Sequence, residues 1–567
     1  MRFLRKYGGP LAAAALGCCS GFGTLPVIEI TLDPEAEGTV DDRLFGHFLE
    51  IGVHNESGPE AAWDPETGAL RENVVAQLRK MAIPVLRFPG GVALESVDFR
   101  WTHLIDNAPD RLKAERPARL RSDGALQTHA FGLDEFLALC AELGAEPLLV
   151  VKLTDMLLER VPPEEVLAQA RAMLAYCNLP VDADVPVELR RWALLRARNG
   201  NPEPFGVKYW QLGNEFVWYA LNTLRERGLS DREITDAYVN AVVEMVEALR
   251  AVDPNIELIA ENYLETDGVR LPVTAAFAER LGDRIAFVSS HFYKTWGIDK
   301  LSRGGEPVRF AEFRPEDFWN AAASAPGTDA RGQSHFFSFE AVAAERHGYP
   351  IALTEWNWNS WWGDKVEETS DGAPVDPPPF TQSIWAKGMG AVSILHALMR
   401  SDFPIRLATQ SMLIGNAWSL ASIGVAEGGA VLRPSGAVTA LYSRLHGDRR
   451  IGWRSEQALP GYAQPFTVGG LSPSDVVAYL DLVVTVNDEQ LFLHALNRHQ
   501  QQALTLMLET GCWVAETVRT ATHYSLTESG QPSALVEETQ TPLDRKGRRW
   551  HIVLPPASIS AVALPRE

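Results

Sequence analysis

Cysteine is scarce in this chain. Its 567 residues include five, at Cys18, Cys19, Cys140, Cys177 and Cys512, with no CxxC pair and no Cys/His cluster at structural-zinc spacing. That excludes a small disulfide-stapled scaffold and a structural zinc module. Basic residues are the minority, 52 Lys plus Arg against 73 Asp plus Glu, and the net charge of −21 repels polyanions, so nucleic acid is not expected as a partner. No apolar run reaches the roughly 20 residues needed to cross a bilayer. No GxGxxG or GxxxxGK[ST] follows a candidate strand, which removes the phosphate loop of an open, doubly wound nucleotide fold. Internal repeats and low-complexity tracts are missing too. What is present is an ordinary globular composition, 46% apolar and 9% aromatic with 44 Gly and 36 Pro. A chain of this length holds more than one domain, or one large barrel with an appendage.

The opening MRFLRKYGGPLAAAALGCCSG places Arg2, Arg5 and Lys6 before a short Leu/Ala run and then small residues, the layout of a signal peptide over 1–20. Cleavage before Cys18 would resemble lipoprotein processing. The resulting expectation is export to the periplasm, cell surface or medium, with membrane attachment only through a lipid anchor.

From 41 to 425 the chain alternates short β-rich runs with amphipathic helical stretches, the pattern of βα units and a parallel sheet. Candidate strands cover 84–87, 147–152, 208–213, 257–260, 285–289 and 351–354, separated by helical patterns such as ENVVAQLRKMA and DAYVNAVVEMVEALRAV. About eight such units predict a (β/α)8 TIM barrel. From 426 to 567 the texture changes to short strands divided by Gly, Pro, Ser and Asp turns, predicting an all-β sandwich. The strand within 27–40 precedes the barrel and is expected to join that sandwich. The segments 104–127, 181–201 and 303–332 read as irregular loops on one rim.

A TIM barrel carries its active site at the carboxyl ends of its strands. Two apolar runs end there in glutamate: KYWQLGNE places Asn214 and Glu215 at the end of the fourth strand, and YPIALTE places Glu355 at the end of the seventh. Two carboxyl groups facing one cavity suit hydrolysis of a glycosidic bond, one as proton donor and one as nucleophile. The flat rings of Trp356, Trp358, Trp361 and Trp362, close after Glu355, are candidates to stack on sugar. Trp356 is the one taken as a substrate contact.

LFGHFLE at 44–50, RFPGG at 87–91, FGLDEFLALC at 131–140, RNGNPEPFGVKYWQLGNE at 198–215, SHFY at 290–293 and TEWN at 354–357 together resemble glycoside hydrolase family 51, the α-L-arabinofuranosidases. The resemblance runs over about 27–420. It implies a retaining exo-enzyme that releases terminal α-L-arabinofuranosyl residues from a carbohydrate substrate without metal or cofactor. It implies Glu215 as acid/base, Glu355 as nucleophile, Asn214 on the sugar 2-hydroxyl, and His291 and Tyr293 beside the nucleophile. Glu50 would accept from a sugar hydroxyl, and Arg87 would hold carboxylates in place. Members of the family often form homo-oligomers.

Three departures bear on the sugar. Val92, Ala93 and Leu94 follow RFPGG where the family often has a polar or small residue and an aromatic. Lys152 stands on the third strand, which in the family usually ends in Asn, and would meet a uronate or pair with Asp155 or Asp134. RLATQSMLIGNAW at the eighth strand lacks the family's amides in register. The alternatives are a same-fold endoglucanase, xylosidase or glucuronidase, or a non-catalytic carbohydrate-binding barrel. Glu261, ending the fifth strand, is a third carboxylate with only its position to recommend it.

Overall fold

The structure, a computed structural model, describes residues 25–567 apart from 53–55, 122–123, 295–296, 299–300, 309–314, 360, 363–365, 368–373, 376–383, 417–419, 427–428, 469–470 and 529–535. The leader reading of 1–20 therefore lies outside the described residues.

Eight parallel strands close into a barrel. In chain order they are Gly46–Phe48, Val85–Phe88, Glu146–Val151, Tyr209–Leu212, Glu257–Glu261, Phe287–Lys294, Ile351–Trp358 and Ile405–Gln410. The eighth pairs back onto the first through Thr409↔Gly46 and Gln410↔His47, which leaves the sheet no edge. Strands such as Tyr209–Leu212 and Val85–Phe88 are buried at every position, because helices cover the outside while side chains fill the inside. The local chemistry agrees with this packing. Helix Asp231–Arg250 begins in a capping box, where Ser230 accepts from the Glu233 N–H and the Glu233 carboxylate accepts from the Ser230 N–H. On helix Ile384–Arg400, Gly390 lies so close to the Trp358 ring that any Cβ there would collide with it.

Three stretches depart from the sequence expectation. The segment 303–332 contains helix Pro315–Ala322, and 181–201 likewise is not an irregular loop, since it contains helix Val187–Arg198. Arg196 on that helix is fully buried and donates to the carbonyls of Tyr176 and Leu179 at 2.7 and 2.9 Å. The stretch after 426 begins not with a strand of the sandwich but with Gly429–Leu432 and helix Pro434–Arg444, which packs on helix Ile384–Arg400 and on Glu72–Met81. Its residues from Pro434 to Tyr442 are all buried, so it shows no apolar stripe from which a 3.6-residue period would be read.

Strand Ile28–Thr39 pairs antiparallel with Arg449–Arg454 and parallel with Leu504–Glu509, closing a nine-stranded β-sandwich without open edges. Strand Leu504–Glu509 alternates buried and half-buried residues, with Leu504, Leu506 and Leu508 inward. Asp481 of this domain is fully buried and accepts from Arg498 at 2.8 Å and from Arg400, at the end of a barrel helix, at 2.6 Å. Burial pushes its carboxyl up, but the two guanidiniums and His396 outweigh this and hold it well below the usual range. No helix among the described residues is long and apolar enough to cross a membrane.

Candidate active site

Strands four, six and seven bring the predicted carboxylates together. The sixth and seventh run in register so that His291 lies beside Glu355 and Tyr293 beside Asn357. The seventh extends past Glu355 to Trp358, so Glu355 sits within a strand. Glu215 follows the fourth strand on the turn Gly213–Asn214–Glu215, with Gly213 at φ +80° and Glu215 at φ +49°. A non-glycine residue held in the left-handed region costs on the order of 1–3 kcal/mol and persists where its surroundings over-determine it, typically at sites of function.

A carboxylate oxygen of Glu215, one of Glu355 and a ring nitrogen of His291 all lie within 4.8 Å of one another. This is the group of His and carboxylate side chains among the described residues spaced closely enough to share a metal ion, but its members are already engaged. His291 Nδ1 shares a proton with Glu215 Oε1 across 2.8 Å. Glu355 accepts from Arg87 Nη1 at 2.8 Å through Oε1 and from the Tyr293 hydroxyl at 2.7 Å through Oε2.

Arg87 is the hub. Fully buried, it also donates to Gln211 at 2.8 Å and to Asn214 Oδ1 at 2.5 Å, with its guanidinium 4.4 Å from the centre of the Phe48 ring. Asn214 thereby has its oxygen fixed while its Nδ2, also buried, has no hydrogen-bond partner among the described residues. Gln211 donates in turn to the Gly213 carbonyl at 3.0 Å, tying the hub to the Glu215 turn.

The same burial gives neighbouring carboxyls opposite fates. Desolvation pushes Glu355 up, yet His291, Arg87 and the Tyr293 hydroxyl together overcome it and hold Glu355 below the usual carboxylate range. Glu50 differs. Burial, reinforced by the charge of Glu355, outweighs Arg87 and holds it well above that range, and among the described residues it accepts from the Val92 N–H at 2.9 Å. The glycines of RFPGG are explained here, because a Cβ on Gly91 would collide with the Glu50 carboxyl. His291 is lowered by burial but raised more by Glu355 and Glu215, so it holds its proton above the ordinary imidazole range. Burial drives the Tyr293 phenol well up, keeping it a donor.

A test follows from these directions. Tyr293→Phe removes a donor to the ionised Glu355, so its pKa rises. A depressed carboxylate works above its folded pKa and fails as pH falls through it, so the acid limb of kcat/KM moves to higher pH. A hydrogen bond to a charged group contributes about 1.5–3 kcal/mol, equivalent to a fall of roughly 10- to 150-fold in kcat/KM. A pH–rate profile of the variant checks both, and an unmoved acid limb counts against this role for Tyr293.

A cavity of about 930 Å³ opens over these groups, lined by Glu50, Glu215, His291, Tyr293 and Glu355. Its outer part is lined by Trp218, Tyr263, Lys294 and Phe337, with Trp218 and Phe337 more than half exposed. Trp356 requires correction. Its ring is fully buried and does not line the cavity. Side chains alternate along a strand, and with Glu355 facing inward, Trp356 and Trp358 face the surrounding helices; Trp358 Nε1 donates to the Ala322 carbonyl. The side chains of Trp361 and Trp362 lie outside the described residues. Lys152 pairs with Asp155 at 2.7 Å and donates to the Ser96 carbonyl.

At the eighth strand, Gln410 accepts from Thr439 of the following helix at 2.6 Å, and the next residue reaches the site instead. Ser411 Oγ lies 2.5 Å from the Tyr293 hydroxyl. Nothing in the sequence singled out Ser411 beyond a hydroxyl at a strand end. Gln211 was legible in principle, as the residue of KYWQLGNE two before the turn.

Residues 77–300 match the family model described as the alpha-L-arabinofuranosidase 1 domain. Alpha-L-arabinofuranosidase C of Emericella nidulans is 30% identical over 258 residues, 44% of each chain, so the match spans less than half of that relative. An intracellular exo-alpha-(1->5)-L-arabinofuranosidase of Halalkalibacterium halodurans is 23% identical over 83% of this chain and 85% of its own. The solved GH51 alpha-L-arabinofuranosidase of Thermotoga petrophila superposes with a TM-score of 0.65 over 94% of this chain and 99% of its own, at 21% identity, which speaks for the fold. The expectation of export is overturned here, because this nearly full-length relative is named as intracellular. A few basic residues before a short Ala-rich run are a weak discriminator, since the run needs no more apolar surface than a buried helix does. With the barrel, the sandwich and the ordered motifs RFPGG, GNE and TEWN, these matches make the chain similar to the α-L-arabinofuranosidases of glycoside hydrolase family 51.

Proposed function

We propose that this chain is a retaining exo-α-L-arabinofuranosidase, releasing terminal arabinofuranosyl residues from arabinose-containing oligosaccharides or polysaccharides. The observation that carries the mechanism is the approach of the Glu215 and Glu355 carboxylates within 4.8 Å. Double displacement places its two carboxyl groups about 5–5.5 Å apart, whereas direct displacement by water needs about 6.5–9.5 Å. The relatives named as arabinofuranosidases support the choice of sugar.

In the first step a Glu355 oxygen attacks the anomeric carbon while Glu215 gives its proton to the departing glycosidic oxygen. The C–O bond breaks and a glycosyl ester forms. In the second step Glu215 takes a proton from water, the water oxygen bonds to the anomeric carbon, and Glu355 leaves as carboxylate. Arg87 and Tyr293 keep Glu355 ionised for attack, and His291 exchanges the proton with Glu215. The free Nδ2 of Asn214 supplies a donor for the sugar 2-hydroxyl, a contact that tightens as positive charge develops on the ring.

Methanolysis of 4-nitrophenyl α-L-arabinofuranoside followed by NMR tests this reading. Methyl α-L-arabinofuranoside is the expected first product, and the β-anomer would rule out double displacement. A second reading keeps the chemistry and changes the glycone. It is favoured by Val92, Met412 and Leu420, which give the cavity wall an apolar stretch. Activity on a xyloside, glucoside or glucuronide with the arabinofuranoside inert would establish it.

A further inference from the structure

Beside the turn that carries Glu215, two buried carboxyls take no part in the mechanism above. Glu95, beyond the second strand, is 2% exposed, and Glu261, the last residue of the fifth, is 1% exposed. Both are bonded to the turn that carries Glu215. The Asn214 N–H donates to Glu95 Oε1 at 3.1 Å, and the Phe216 N–H donates to Glu261 Oε2 at 3.3 Å. The residue before Glu215 and the residue after it are thus each held by a carboxyl from another part of the barrel. Between them Glu215 keeps φ +49° and ψ +44°, with no hydrogen bond from its own side chain to the helix it precedes.

Burying two carboxyls is unfavourable, and a barrel interior has cheaper ways to fill space. Burial pushes Glu95 up to about 7 and Glu261 to about 8, so near neutrality Glu261 is mostly, and Glu95 about half, a neutral acceptor, which lessens the repulsion between Glu261 and Glu215. Glu261 also lies within the electrostatic reach of His291. Its Oε1 and His291 Nε2 are both buried without partners among the described residues.

We infer that Glu95 and Glu261 are positioning residues for the acid/base. By accepting the N–H groups on either side of Glu215 they fix the left-handed turn, and so the direction from which its carboxyl meets the glycosidic oxygen. This deepens the proposed function and rests on it. Without either acceptor the turn relaxes and the Glu215 carboxyl swings out of line, while the Arg87–Glu355–Tyr293 assembly stays in place. Proton transfer then suffers and nucleophilic attack does not.

The test is the leaving-group dependence of kcat/KM in Glu95→Ala and Glu261→Ala, measured on 4-nitrophenyl and on alkyl α-L-arabinofuranosides. A misplacement of about 1 Å costs on the order of 10²-fold. The alkyl substrates, which need protonation, are expected to lose roughly 10- to 100-fold, and the 4-nitrophenyl substrate less than about threefold. Glu95→Gln and Glu261→Gln keep an acceptor oxygen and are expected to stay within about threefold of the wild type on both. Glu261→Met, which preserves volume without an acceptor, repeats the measurement if an alanine variant does not fold. Equal losses on both substrates, or full activity in the acceptor-free variants, would overturn the inference and leave the proposed function standing. A wild-type protein inert toward every arabinofuranoside would remove both.

Discussion

Glu355→Ala is expected to lower kcat by about 10⁴- to 10⁶-fold on every substrate, the scale seen when a covalent nucleophile is removed. Two properties of the site make the loss this large. No second carboxylate is in place to take over, because Glu50 beside it is held up chiefly by burial, which the substitution leaves unchanged. Arg87, built to face an anion, is also left with an unbalanced buried charge, an imbalance that costs about 3–5 kcal/mol of stability when one partner of such a pair is removed. Glu355→Gln, of the same shape, separates the chemical loss from the folding loss. Azide entering the space left in the alanine variant attacks from the nucleophile's side, so the product is the β-L-arabinofuranosyl azide, identified by NMR. An α-azide would mean that Glu355 is not the nucleophile.

Glu215→Ala is the second large effect, and its size depends on the substrate. Losing a general acid costs typically about 10²- to 10⁴-fold. That full loss is expected for arabino-oligosaccharides, whose departing alkoxide must be protonated, while kcat/KM for 4-nitrophenyl arabinofuranoside falls little. Hydrolysis of the glycosyl ester then becomes slow for lack of a base. Azide restores turnover and yields the α-anomer, opposite to the Glu355 variant. Steady-state kinetics on both substrates with and without azide check these outcomes, and a uniform loss without azide rescue would contradict the acid/base role.

Much of this was legible in the residues. Alternating β-rich runs and amphipathic helices announced the barrel, since parallel strands and their covering helices impose those periods locally. The helix Pro434–Arg444 was not legible, because it is buried on every side and carries no stripe. Glu215 and Glu355 stood out as acidic residues ending apolar runs. Trp356 was misread because the seventh strand continues beyond Glu355 to Trp358. Once the strand continues, its alternation sends that ring into the helices.

The sequence by itself determined the order of the elements, the strand ends that carry acidic residues, and the small residues of RFPGG that let a backbone approach a carboxyl. Only the tertiary structure decided which carboxyl is held in its ionised form. Glu50, Glu95, Glu261 and Glu355 are all buried, and burial alone would leave each of them protonated. Glu355 is the one that receives Arg87 from the second strand together with Tyr293 and His291 from the sixth. Electrostatic and hydrogen-bond energies depend on separation in space, and closure of the barrel sets that separation.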